Sequence, residues 1–480
     1  MFMSVQEVQQ SAYIVQKRPA AKQILDALLA KYAYASVLVT DCIGKNYRVG
    51  RSGIAISQDN SFGGKGMVVK VYDGRGYAEY SSNEITESRV DEIVAEIERR
   101  LVPLTTSLPH GLEESTYRQL QDEPCTFRKA STYKLHPTAV GDRKIIETLT
   151  AIREKTLASR SELIDSVVGV SYQEYHKLFL SANRDMEQSV LWVCGFINAV
   201  ACRGERVENA FKGFSNLGGM ELLAQMEANS SAIADTAAAL LDAEPIEPGT
   251  YTCICDPDVT GMIVHEAFGH GVEMDMFVKD RALSQTYVGK QVASPLITMH
   301  DVCAVPEVAT YFFDDEGTLS HDTVIIDHEI LQRGISDAQS AMHLGTEPTG
   351  NGRRESYERK AYTRMTNTYF EPGQDKLADM IASVDYGMYL EQPSSGMEDP
   401  KNWGIQCMVS IAREIRNGKL TGRIFSPIVL TGYVPDLLKS ISMVSDTLAL
   451  GGCGACGKGY KEWVKVSDGG PYIKAKIRLG

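Results

Sequence analysis

The chain has 480 residues, 43% of them hydrophobic and 23% charged, with a formal net charge of -13. That length and composition describe a soluble globular protein of two or three domains. The acidic balance excludes a general nucleic-acid binder and a partner of anionic membranes, both of which demand basic surface.

The N-terminus, MFMSVQEVQQSAY, has neither a basic n-region nor an apolar h-region, so no secretory signal is expected. The ten cysteines are scattered, which fits small core residues in a reduced cytoplasm better than a disulfide framework. Residues 19–33 carry Ile24, Leu25, Leu28, Leu29 and Tyr32 at helical spacing. Strand-like stretches follow at Ala35–Cys42 and Tyr47–Ile56, and Gly66–Tyr80 contains an Asp73-Gly74 hairpin signal. Thr86 is a candidate cap for a helix over Ser88–Leu101. Pro103–Val140 reads as an irregular connector. A helix over Arg143–Leu157 then precedes strands Leu163–Tyr172, Tyr175–Ser181 and Ser189–Arg203. The order of one helix and three strands thus occurs twice, loosely, with no sequence identity between the copies. The glycines of 204–220 predict a loop, and Leu222–Leu241 a long alanine-rich helix. Two prolines and a glycine in Glu244–Gly249 stop any regular element, which places a domain boundary there.

The second half opens with a strand, Thr250–Cys255, and Pro257 and Asp258 introduce a helix. Further strands are expected at Leu296–Cys303, Thr323–Gly334, Ile405–Ile415, Leu420–Leu430 and Tyr472–Leu479. Asn417-Gly418 is the strongest hairpin signal in the chain. A short helix, Asp436–Val444, precedes the glycine-rich GGCGACGKGY of 451–460. The expected fold is α+β in two domains. Residues 1–245 set helices on a mainly antiparallel sheet. Residues 246–480 form a β-rich, barrel-like domain that carries the helix of the next motif.

That motif is GMIVHEAFGHGVEMD, 261–275, with His265, Glu266 and His270 within six positions. Imidazoles bind transition metals, and a carboxylate beside the metal can act as a base toward water. The spacing is H-E-x-x-x-H, one residue longer than the common zinc-peptidase pattern. On a regular α-helix the two histidines stand about 140° apart. A π-type turn brings them to roughly 50°, and Gly269 and Gly271 permit such a distortion or an early helix end. The alternative is two histidines near a helix C-terminus, where positive charge is favoured.

A catalytic zinc site needs a third protein ligand. Candidates are Cys453, Cys456, Glu273, Asp275, His300, His321, His328 and His343. If both cysteines join both histidines, the site is closed and structural. A redox role for Cys453-x-x-Cys456 lacks a thioredoxin-like context. Glu266, standing where a catalytic base would stand, favours the open site. Elsewhere Arg353, Arg354 and Arg364 are candidates to pair with a peptide carboxylate or with the protein's own acids. Asn351, Thr366 and Asn367 are candidates to hydrogen-bond a peptide backbone. Asp314-Asp315-Glu316 lacks the spacing of a hard-cation loop and reads as a solvated turn.

These stretches resemble the TldD/PmbA family, once called modulators of DNA gyrase and understood as metallopeptidases. The resemblance rests on HEAFGHG (265–271), DDEGT (314–318), PTGNGRRESY (348–357), RMTNTY (364–369), ISMV (441–444) and CGK (456–458), in the family's order. The TldD branch keeps the metal motif and the PmbA branch lacks it, so this chain resembles the TldD branch. The resemblance implies Zn²⁺ bound by His265, His270 and Cys456, with Glu266 catalytic and Cys453 outside the ligand set. After Cys456-Gly457-Lys458 the chain reads GYKEW, where TldD-like proteins often have an acidic residue, glycine and glutamine. The family also implies cleavage of unfolded, extended peptides and dimers, either homodimers or heterodimers with a PmbA-like subunit. The rival class is a non-enzymatic modulator of a gyrase or toxin–antitoxin partner with a structural zinc.

Overall fold

The computed structural model describes residues 4–9, 11–59, 62–106, 117–458 and 461–480. The N-terminal part is built on one nine-stranded sheet. Its spine is three long neighbours, Tyr34–Gly50, Leu163–Ser181 and Arg184–Arg203. Every pairing is antiparallel except that of Cys125–Ser131 with Arg184–Arg203. Side chains alternate across the strands and so define two faces. Val37, Val39, Leu178 and Leu180 point to helices Ala12–Leu29 and Val90–Thr106. Val49, Val170 and Ile197 point to helices Asp142–Ala158 and Leu222–Leu240. On the opposite face Leu38, Val68 and Phe179 meet Phe312 and Phe313 of the second half. The helices therefore cover one face, and the C-terminal half covers the other.

Several elements differ from the sequence expectation. The first helix starts earlier, at Ala12, because the Ser11 side chain caps the Ile14 N–H; Pro19 is accommodated inside it. Thr86 makes no capping bond, and a 3₁₀ turn at Glu87–Arg89 leads into the second helix, which runs to Thr106. The connector contains the strand Cys125–Ser131 and the short helix Pro137–Val140, while 107–116 lie outside the described residues. Leu163–Ser181 is one strand, not two. The expected loop at 204–220 is largely the strand Arg206–Leu217. Its Gly213 makes no turn: a Cβ there would stand 2.5 Å from the Cβ of Cys453, so the glycine serves close approach of another segment.

In the second half five strands close a barrel: Gly249–Cys255, Tyr386–Asp399, Gly404–Arg416, Ile428–Tyr433 and Ile473–Leu479, the last pairing back to the first. The expected hairpin forms at Asn417-Gly418, both left-handed at φ 51° and 72°. The expected helix at 436–444 is shorter, Val434–Lys439, because Met443–Val444 pairs with the last strand instead. A six-stranded sheet that includes Met299–Val302, Asn367–Phe370 and Ser467–Gly470 stands beside the barrel. The motif helix lies between them, with Val264 and Phe268 in a core shared with Met365, Leu390 and Cys407. No helix among the described residues is long and apolar enough to cross a membrane.

Candidate metal centre

The motif helix leaves the barrel strand Gly249–Cys255 directly. Asp256 caps it by accepting from the Val259 N–H at 2.8 Å, and Pro257 takes the first helical position, where its missing N–H costs nothing. The helix is α over Pro257–Met262, π over Ile263–Gly269, and 3₁₀ over His270–Val272. The wider turn brings the two imidazoles to one side, with ring centroids 5.2 Å apart. The glycines act differently from the sequence expectation. Gly269 has ordinary helical dihedrals, but a Cβ there would lie 2.2 Å from Met365 Sδ. It is small because Met365 packs against the distorted turn.

Cys456 arrives from the short strand Ala455–Lys458, and its Sγ lies 3.2 Å from His270 Nε2. One ligand atom from each of His265, His270 and Cys456 falls within 4.8 Å of the others. His265 and Cys456 are buried, whereas His270 and Glu266 are partly exposed, so one side of the cluster is open. His265 Nδ1 is buried with no hydrogen-bond partner. Two imidazoles and a thiolate around an orphaned nitrogen are the donor set of a borderline-soft ion such as Zn²⁺.

A buried ionic group holds this set in place. Glu273 reaches His270 Nδ1 at 3.2 Å and accepts from Arg364 Nε at 3.2 Å, and Lys458 Nζ stands 3.1 Å from it. Arg364 Nη2 donates to the Cys456 sulfur and carbonyl, each at 3.0 Å. Arg364 is fully buried and Glu273 nearly so. Burial alone would raise the Cys456 thiol, but the adjacent His270 and His265 hold it well below its ordinary value. Burial likewise favours a neutral Glu273, and Lys458 and His270 overrule it, keeping the carboxylate ionised. Burial raises Glu266.

Of the other sequence candidates, Cys453 is elsewhere. Its Sγ lies 3.4 Å from the Gly195 carbonyl, in a cluster with Trp192 and Cys194. The closed four-ligand arrangement is therefore not formed, and Glu273 supports His270 from behind. Asp275 binds Lys458 at 2.7 Å. His300 is held by Asp322 and Glu371, and His343 touches Tyr117; neither they nor His321 and His328 join the cluster.

Arg354 pairs with Glu79, and Arg364 with Glu273. Asn351, Thr366 and Asn367 do not face a cleft. They are buried, the first two on Asp301 and the third on the Val302 carbonyl. Asp314, Asp315 and Glu316 are also buried rather than solvated, with Asp315 on Lys177 and Glu316 on Lys70. The sequence reading missed Glu398, which accepts the Gly271 N–H at 2.9 Å and fixes the backbone after His270. Nothing local marks a residue 127 positions away in sequence.

Residues 248–478 match the family described as the PmbA/TldA metallopeptidase C-terminal domain. A protein named "Metalloprotease" from Methanothermobacter thermautotrophicus is 29% identical over 326 residues, covering 66% of this chain and 71% of that one. A "Metalloprotease TldD homolog" from Buchnera aphidicola is 37% identical over 228 residues, covering 47% of each chain, so the match spans about half of that relative. A crystal structure from Thermotoga maritima, described as a modulator of a DNA gyrase, superposes with a TM-score of 0.77 at 17% identity. It covers 96% of this chain and 100% of that one, and shows the same fold. By sequence, residues 248–478 of this chain belong to the PmbA/TldD family of metallopeptidases.

Proposed function

We propose that the chain is a zinc metallopeptidase that cuts unfolded, extended peptides, with His265, His270 and Cys456 as the metal ligands. The observation that carries this reading is the open cluster of three ligand atoms within 4.8 Å, with Glu266 adjoining it in the chain. A zinc ion held there supplies Lewis acidity toward a peptide carbonyl and toward water. Glu266 takes a proton from the attacking water at its carboxylate and returns it to the leaving amine nitrogen. Glu273, Arg364 and Lys458 keep His270 and Cys456 oriented, as supporting groups around metal ligands do.

The strand Tyr386–Asp399 favours an extended substrate. Residues 391–399 pair with Gly404–Ile411 on one side, and no strand pairs with their other edge among the described residues. Gly396, in this stretch, lies against Glu266. A peptide added to that edge is held by main-chain hydrogen bonds, which read no side chain and are closed to folded proteins. Dimers, with a second copy or a PmbA-like partner, a cytoplasmic location, and a division into 1–245 and 246–480 belong to the same reading.

The test is Glu266→Gln in the zinc-loaded protein, assayed on an unstructured peptide by mass spectrometry. The variant is expected to keep the metal and lose cleavage. Unchanged turnover removes Glu266 from the mechanism. No chelator-sensitive cleavage by the wild type leaves the site a structural staple.

A further inference from the structure

Between the two halves lies a cavity, separate from the metal cluster, of about 40 Å³. A single water needs on the order of 10–15 Å³ on this measure, so the space suits about three non-hydrogen atoms. Its wall includes Lys177, Arg353, Arg354 and Lys465, against one lining acid, Asp315. Lys177 is neutralised by Asp315 at 2.5 Å, and Arg354 by Glu79 at 2.6 Å. The other two cations form no ion pair among the described residues and donate to carbonyls. Lys465 Nζ donates to Cys453 and Gly454 at 3.0 and 2.8 Å, and is 7% exposed. Arg353 donates to Met365 and Lys465 at 2.5 and 2.6 Å.

The nearby Glu307 and Asp301 feel Lys465 and Arg353 electrostatically but take their hydrogen bonds elsewhere. Glu307 accepts from Ser215 at 3.0 Å and from the Val308 N–H at 2.8 Å, and Asp301 binds Asn351 and Thr366. Arg354, 7% exposed, leaves its buried Nε–H without an acceptor. Trp192 lies beneath Lys465, 5.1 Å from Nζ, and Tyr311 beneath Arg353 at 5.4 Å. The rings shield buried Lys465 and one face of the partly exposed Arg353. A buried Lys465 and a partly buried Arg353, neither in an ion pair among the described residues, both gain from an anion placed between them.

We propose that this cavity binds a carboxylate group, received by Arg353 and Lys465. The size fits a planar three-atom carboxylate, and a guanidinium fork matches one. Two sources share that chemistry: a free small carboxylate anion, or the C-terminal carboxylate of a peptide. The site does not depend on the metallopeptidase reading, because binding is measured without turnover.

The experiment is calorimetric titration of the full chain with sodium acetate against sodium chloride at equal ionic strength. One acetate per chain is expected. Arg353→Gln and Lys465→Met, the latter keeping its stem over Trp192, are each expected to weaken binding about tenfold or more, as loss of a charge-assisted bond does. Crystals grown with acetate should show it between the two side chains, which tests the proposal even if a variant fails to fold. A tripeptide acid that competes with acetate, where its amide does not, identifies a peptide terminus as the source. Acetate binding without competition identifies a free anion. Acetate that binds no better than chloride, binds equally to folded variants, or sits elsewhere in the crystal overturns the proposal.

Discussion

Gly396 and Glu266 are in intimate contact although they belong to a barrel strand and to the motif helix. A Cβ on Gly396 would stand 2.4 Å from Glu266 Cγ and 3.2 Å from Cys407 Sγ. Gly396→Ala should push the Glu266 carboxylate off its position without touching a ligand. Peptide cleavage is expected to fall about a hundredfold, the scale of a 1 Å misplacement, while zinc content stays constant. Steady-state kinetics with metal analysis decides it; equal loss of zinc and activity would assign the glycine to the metal site instead.

The two cysteines of the glycine-rich segment should separate cleanly. Cys456→Ser is expected to lose most of the zinc, because its sulfur stands 3.2 Å from His270 Nε2. Cys453→Ser should retain it, because that sulfur faces the Gly195 carbonyl. Metal-to-protein ratios after dialysis report both.

Arg364 and Glu273 form a wholly buried ion pair at 3.2 Å. Arg364→Met leaves Glu273 with Lys458 and His270 alone, and releases the Cys456 sulfur. Breaking such a pair on one side is expected to cost about 3 kcal/mol in urea unfolding. Weakened zinc retention should accompany it. A change within 0.5 kcal/mol would mean that Lys458 alone suffices.

Acid should loosen the contact between the two halves. Burial works against ionisation of Glu79, yet Lys70 and Arg354 lower it to about 2. A carboxyl depressed in the folded state adds stability above its ordinary value near 4.5, and that stability disappears as pH falls toward 2. Glu79→Gln should therefore be less stable than wild type at pH 6. The gap should narrow steadily between about pH 4.5 and 2. Urea midpoints across that range give the answer, and a gap independent of pH would place the effect in packing rather than charge.

Features set by local chemistry were legible in the sequence. Asn417-Gly418 can hardly do anything but make a left-handed two-residue turn between apolar strands, and it does. The helices at 142–158 and 222–240 follow from period and composition. The five-residue step from His265 to His270 sets the imidazoles apart on a regular helix, which called for a widened turn or an early helix end, and the helix is π there. Where reading failed, a residue answered to a distant partner. Gly213 looked like a turn residue and sits within a strand, shaped by Cys453 some 240 residues further on.

The sequence by itself determined the motif, its altered helix, the α+β class and the resemblance that names the family. The resemblance pointed to Cys456, but the physical reason that this thiol meets the histidines lies in the tertiary structure. Cys453 and Cys456 are three residues apart in a glycine-rich segment, where no local force distinguishes them. The antiparallel pairing of Ala455–Lys458 with Lys461–Lys465 sets Cys456 toward His270, 186 positions away, and leaves Cys453 packed on the N-terminal sheet. Only the tertiary structure decided that Arg364 locks the ligands and that Asn351 and Thr366 brace Asp301. Periodicity and propensity act over a few residues, whereas a buried charge is placed by whichever partner the fold brings to it.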